Sequence, residues 1–195
     1  MTIVGARPQF IKAAAVSNAL KNIDEAQEII LHTGQHFDSN MSDIFFSQLG
    51  IPEPDIMLNI NGQGHGAMTG AMISGIKNAI LEHIPDCILL YGDTNSTLAG
   101  AIAASKLHVP IFHIESGLRS GNMKMPEEIN RILTDQVSDT LYCPSKNAVD
   151  NLENENILNT RPCRVRLVGD VMQDASIMFD KHAMKPSKLN MSRKD

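Results

Sequence analysis

Short apolar, β-rich runs alternate with helical patterns along this whole chain, and that alternation restricts its fold more than any other feature. Strands that succeed one another through helices lie parallel in one sheet, with the helices as crossovers. Extended runs are expected at residues 2–4, 28–32, 56–60, 87–91, 111–115, 140–143 and 164–168. Helices are expected at 9–21, 42–49, 67–83, 96–107, 126–137, 145–153 and 172–182. The run Cys87-Ile88-Leu89-Leu90-Tyr91 is apolar without alternation, as a central strand covered on both faces requires. Pro8 and Pro126 stand where helices start, since the fixed φ and missing N–H of proline cost nothing there. The chain reads as α/β, a doubly wound parallel sheet of Rossmann-like type.

Composition narrows the function. With 195 residues, 43% of them hydrophobic, the chain can bury one substantial core, so one domain is expected over residues 1–184. The polar tail KPSKLNMSRKD, residues 185–195, reads as a linker leading out of it. A net charge of -5 and the lack of a Lys/Arg run argue against a nucleic-acid surface. No segment reads as a bilayer span or a signal peptide, so no membrane association and a cytoplasmic location are expected. Cys87, Cys143 and Cys163 show no CxxC spacing, which suits small buried residues in a reducing compartment rather than disulfides or zinc ligands.

Three stretches carry the chemistry. In GARPQFIK, residues 5–12, a strand ends at Gly5 and a helix opens at Pro8, placing Arg7 and Lys12 beside amides that favour anions. A phosphate or carboxylate site is one reading; surface pairing of Arg7 and solvation of Lys12 is the other. In YGDTNSTLAG, residues 91–100, Asp93 stands at the lip of the central strand, followed by Thr94, Asn95, Ser96 and Thr97. A helix needs one cap, and five polar residues in a row exceed that need. In HIESGLRS and MPEEINR, residues 113–131, His113 and Glu115 are expected on one side of a strand by i, i+2 spacing. Glu127 and Glu128 suit the first turn of a helix, and Glu127 can pair with Arg131 at i, i+4.

Two decoys lose to their context. Gly62-Gln63-Gly64-His65-Gly66-Ala67 matches a relaxed dinucleotide pattern, but the next strand ends only at Asp93, well beyond the spacing of roughly 20 residues at which a ribose-binding acid is expected, so no NAD is expected. His113-x-Glu115 resembles a zinc-deaminase pair without the P-C-x-x-C that completes it. Gly34 between His32 and His36 speaks against a helical metal pair, and no metal site is expected.

With TGQHFD (33–38) and VGDVMQDA (168–175), these motifs in this order resemble the non-hydrolysing UDP-N-acetylglucosamine 2-epimerase family. The resemblance implies one half of a GT-B-like architecture, its C-terminal domain to be supplied in cis or trans, and usually a homodimer. It implies interconversion of UDP-N-acetylglucosamine and UDP-N-acetylmannosamine, or of a related diacetamido-uronic acid UDP-sugar. The route is anti elimination of UDP and re-addition, with neither NAD nor metal. It makes Asp93, Glu115 and Glu127 the catalytic acids and Arg7, Lys12, Arg119 and Arg131 substrate-binding residues. Gln35 and His36 fall where some relatives bind an effector, although the continuation SNMSDIFFSQLGI differs from those regulated enzymes. A GT-B sugar transferase domain and a non-catalytic nucleotide-sugar or partner-binding domain are the competing readings. On its own, this chain is expected to be inactive or nearly so.

Overall fold

The computed structural model describes residues 1–35 and 53–180; the helix expected at 42–49, His36 and the tail from 185 lie outside the described residues. Seven strands form one parallel sheet: β1 (Thr2–Val4), β2 (Ile30–His32), β3 (Ile56–Met57), β4 (Ile88–Tyr91), β5 (Ile111–Ile114), β6 (Thr140–Cys143) and β7 (Arg164–Leu167). Their order is β3-β2-β1-β4-β5-β6-β7. The helices are α1 (Arg7–Leu20), α2 (His65–His83), α3 (Asn95–Lys106), α4 (Pro126–Val137), α5 (Lys146–Asn154), α6 (Ile157–Thr160) and α7 (Val171–Asp180). The sheet runs one way from β1 to β2 and the other way from β4 to β5. Right-handed crossovers therefore put α1 and α3 on opposite faces. α2 and α4 pack beside α3, while α7 packs against α1.

The interior follows from residue size. α3 buries Ala99, Gly100, Ala101, Ala103 and Ala104, a small-residue face that lets it lie close to the sheet. A Cβ on Gly100 would come within 2.7 Å of Leu90 Cδ2 and 3.0 Å of Ile3 Cδ1. Ile3, Leu31, Ile76, Ile88 and Leu90 fill the core on that side. Val4, Phe10, Ile30 and Tyr91 pack on the side of α1. Among the described residues no helix is long and apolar enough to cross a membrane.

Two expectations need correction, and the sequence offers none for one short helix. The strand expected at 56–60 stops at Met57, because Asn59 takes a left-handed φ of 54° and ends the extended run. The strand expected from 28 starts only at Ile30. The single turn α6 carries too few residues to show a period, and it follows Asn156, itself at φ 60°.

Candidate active site

The sheet order reverses between β1 and β4, the place where an open α/β sheet forms its ligand crevice beyond the strand ends. Its floor is two turns locked together. Gln9, buried on α1, accepts from the Gly5 and Ala6 amides (2.8 and 3.1 Å). Its amide nitrogen donates to the Tyr91 carbonyl (3.0 Å) and to Thr97 Oγ1 (2.9 Å). All the hydrogen-bonding capacity of one side chain thus ties the β1–α1 turn to the β4–α3 turn. Gly5 is required at this crossing: a Cβ would lie 2.1 Å from Thr33 Oγ1 and 2.2 Å from Ser96 Oγ. Gln35 closes the third side by accepting from the Ser96 amide (3.0 Å) and hydroxyl (2.7 Å).

Two carboxylates face two cations above this floor. Thr94, not Asp93, caps α3 by accepting from the Thr97 amide (3.2 Å). Asp93 is thereby left to form an ion pair with Arg131, while Glu115 pairs with Lys12. The Arg131 Nη1 also donates to the Glu115 carbonyl (2.6 Å), and Asn130 Nδ2 donates to the Asp93 carbonyl (2.9 Å). One turn of α4 therefore holds both acidic loops. Glu115 sits at φ 67°, a left-handed conformation that costs a non-glycine residue on the order of 1–3 kcal/mol and collects at functional sites.

That conformation corrects the expected alternation. The strand ends at Ile114, and Glu115 turns toward Lys12 on α1 while His113 points into the opposite layer. His113, fully buried, binds Asp135 Oδ1 of α4 through Nδ1 and the Gly92 carbonyl through Nε2, both at 2.7 Å. Asp135 Oδ2 accepts from the Gly117 amide (3.0 Å) and Arg119 Nη1 (2.8 Å). Burial opposes ionisation of Asp135, but the bonds and charges of His113 and Arg119 outweigh it and hold the carboxyl below its usual range.

The remaining expected residues take varied places. Arg7 is exposed on the first turn of α1 and Lys12 is buried one turn further on. Glu127 is exposed in the first turn of α4; the expected pair with Arg131 does not form, because Arg131 is turned inward to Asp93. Arg119 is engaged by Asp135 and, through Nε (2.6 Å) and Nη2 (2.8 Å), by Glu155. Its guanidinium thus braces the loop after β5. Glu128, which the sequence reading treated as a dipole partner, is buried and accepts from the Ser120 and Gly121 amides (2.9 and 2.8 Å). Burial raises its pKa, but those bonds, the Ser120 hydroxyl and Arg119 outweigh that and keep its carboxyl low.

Sequence reasoning missed Gln9, Asn130 and Asp135. For Asn130 and Asp135 the one available signal was helical spacing, since both flank Arg131 on the buried face of α4. The Gly62–Gly66 loop leads into α2, where Gly64 is the N-cap and a Cβ on Gly62, Gly64 or Gly66 would meet open space. Among the described residues no group of three or more His, Cys, Asp or Glu side chains is placed to hold a metal.

Fold and site together define a doubly wound α/β domain with a charged crevice at its switch point, the Rossmann-like half of a GT-B-type architecture. The sequence profile of the UDP-N-acetylglucosamine 2-epimerase family matches residues 18–194, and the chain belongs to that family. Over 186 residues it is 61% identical to the UDP-2,3-diacetamido-2,3-dideoxy-D-glucuronate 2-epimerase of Pseudomonas aeruginosa, covering 95% of this chain and 52% of that one. The crystal structure of Methanocaldococcus jannaschii UDP-GlcNAc 2-epimerase in complex with UDP-GlcNAc and UDP superposes with a TM-score of 0.88. Identity there is 41%, over 93% of this chain and 49% of that one. The Neisseria meningitidis UDP-GlcNAc 2-epimerase bound to UDP-GlcNAc gives 0.87 at 32% identity, over 98% of this chain and 52% of that one. The chain spans about half the length of the curated relatives it matches.

Proposed function

We propose that the full-length protein is a non-hydrolysing UDP-sugar 2-epimerase and that this chain supplies the acid-bearing wall of its active site. The observation that carries this reading is the convergence of Asp93 and Glu115 on one turn of α4, each paired with a cation. Removing a C2 proton beside an acetamido group is too hard for a carboxylate acting alone. As the C1–O bond breaks and its electron pair leaves with UDP, C1 gains oxocarbenium character and the C2 proton becomes removable. A carboxylate takes that proton, C1=C2 forms, and UDP then returns to C1 while a proton is delivered to the opposite face of C2. Asp93, Glu115 and Glu127 share the proton transfers. Arg7 and Lys12 face the anionic leaving group, and Arg131 orients Asp93.

Identity of 61% to the diacetamido-glucuronate enzyme, against 43% to the epimerase of Methanocaldococcus jannaschii, favours a diacetamido-uronic acid UDP-sugar as substrate. No resident cofactor is invoked. Three free cysteines suit a cytoplasmic enzyme, and a homodimer is its expected state.

Turnover of the full-length protein in D2O tests the reaction: an epimerase washes deuterium into C2 of the UDP-sugar, whereas a sugar transferase leaves C2 protonated. Asp93→Asn is expected to lower kcat by about 10²–10⁴-fold, the range of positioned acid–base groups. An unchanged rate would favour a binding domain without catalysis.

A further inference from the structure

We propose that Asp135, acting through His113, is a positioning residue that holds the Gly92–Asp93 turn and the turn after Glu115 in one fixed relation. The proposal rests on the functional reading above, in which Asp93 and Glu115 do the chemistry. Asp135 and His113 touch neither of those carboxylates. They act on the backbones that carry them.

Gly92 is the weak point of its turn. It has no side chain, its φ is 64°, and both of its backbone groups are tied to β5: its amide donates to the Ile114 carbonyl (3.0 Å), and its carbonyl accepts from His113 (2.7 Å). The path into Asp93 thus depends on what His113 presents. A ring with a proton on one nitrogen alone would turn a lone pair either on the Gly92 carbonyl or on the Asp135 carboxylate. Both contacts are attractive only when both nitrogens donate, so the ring and Asp135 form a buried charge pair. The other oxygen of Asp135 holds Gly117 and Arg119, four residues or fewer beyond Glu115. Gly117 cannot shift away, since a Cβ there would already lie 2.3 Å from the Ala148 carbonyl.

Burying an ion pair at this depth is a poor way to gain stability, because desolvation consumes most of the attraction. A well-packed apolar pair would hold α4 to the sheet as well. What the charged pair adds is direction: hydrogen bonds of fixed geometry to one carbonyl and one amide, on the two loops that carry the acids.

Side-chain 15N spectra of the full-length protein, labelled at histidine and assigned with His113→Gln, should show protons on both ring nitrogens of His113 at neutral pH. A bare nitrogen overturns the proposal without any need for a folded Asp135 variant. In the same protein Asp135→Leu, similar in size but unable to hold either His113 or the Gly117 amide, should lower kcat about 10- to 100-fold while KM moves less than about threefold, the signature of misplaced reacting groups. Asp135→Asn should keep most of the rate, because its amide nitrogen can donate to a singly protonated His113 while its oxygen accepts from Gly117 and Arg119. A folded Asp135→Leu variant with wild-type kcat, or an Asp135→Asn variant as slow as Asp135→Leu, overturns the proposal. Asp93→Asn separates the two readings: a lost rate there beside an unaltered Asp135→Leu sinks only the positioning role, whereas an unaltered Asp93→Asn sinks the epimerase reading itself.

Discussion

Gly92 illustrates how tightly single atoms constrain this crevice. A Cβ at that position would stand 3.1 Å from Glu115 Oε2 and 3.3 Å from Lys12 Nζ, and the backbone is left-handed at φ 64°. Gly92→Ala should therefore cost about 1–2 kcal/mol of stability from the backbone alone. It should also push the Glu115–Lys12 pair apart, so denaturant midpoints and kcat in the full-length protein should fall together. Wild-type stability would show that the turn is looser than its geometry. His32 gives a second prediction. Stacked on Phe10 with ring centroids 4.9 Å apart, it is fully buried, and burial pushes its pKa from the ordinary 6.5 down to about 4. The unfolded chain takes up the proton first as pH falls. The stabilising contribution is therefore whole above pH 6.5 and lost progressively toward pH 4, a change on the order of 3 kcal/mol. His32→Asn retains an acceptor for the Gly34 amide that His32 Nδ1 now receives at 2.8 Å. It should flatten urea-midpoint profiles across that window; an unaltered slope would assign the acid sensitivity elsewhere.

Helix α4 is amphipathic with its faces reversed. Glu128, Asn130, Arg131, Thr134 and Asp135 are buried, while Ile129 and Leu133 are 37% and 46% exposed. A soluble helix ordinarily turns its apolar stripe inward. That rule is why the sequence reading passed over Asn130 and Asp135, while i, i+4 spacing alone suggested the pair of Glu127 with Arg131. Strand positions were legible for the opposite reason. A parallel strand buried on both faces is apolar throughout, so β4 and β6 lie within one residue of their expected bounds. Asp93 and Glu115 were legible too, because they stand where strands end, and Lys12 and Arg131 lie in the same motifs; Gln9, Asn130 and Asp135 were not, because a buried polar network follows no apolar period. The outward stripe is continued by Met123 and Met125, 58% and 40% exposed. If this face joins two copies of the full-length protein, Ile129→Lys with Leu133→Lys should convert the dimer to a monomer in sedimentation velocity. The unfolding free energy of the monomer should move by no more than about 0.5 kcal/mol per site, as for other exposed positions. A dimer that survives both lysines would place the interface on another face.

At the scale of the molecule, the two faces of the sheet are unequally covered. α2, α3 and α4 shield one side, whereas between α1 and α7 the other side opens into a cavity of about 530 Å³ with Leu89, Phe112, Ile114 and Tyr142 among its lining residues. Acids surround it, among them Glu28, Asp86, Asp170 and Asp174. Val168, which also lines it, is 55% exposed, and Leu167 and Ile177 on β7 and α7 are 58% and 64% exposed. Parallel sheets normally have both faces buried, and apolar surface left exposed favours association. The crevice at β1 and β4 is similarly one-sided: it offers acids and cations from a single domain, while the chain spans about half the length of its relatives. Both features lead to one expectation for the 195-residue chain produced by itself. It should bind an environment-sensitive apolar dye more strongly than the full-length protein does, self-associate as its concentration rises, and turn over no UDP-sugar. Dye titration, light scattering and a coupled assay for UDP-N-acetylglucosamine epimerisation measure these in turn. Turnover by the short chain would mean that the acid-bearing wall binds and reacts without an opposing one, and the division of labour proposed between the two halves would have to be abandoned.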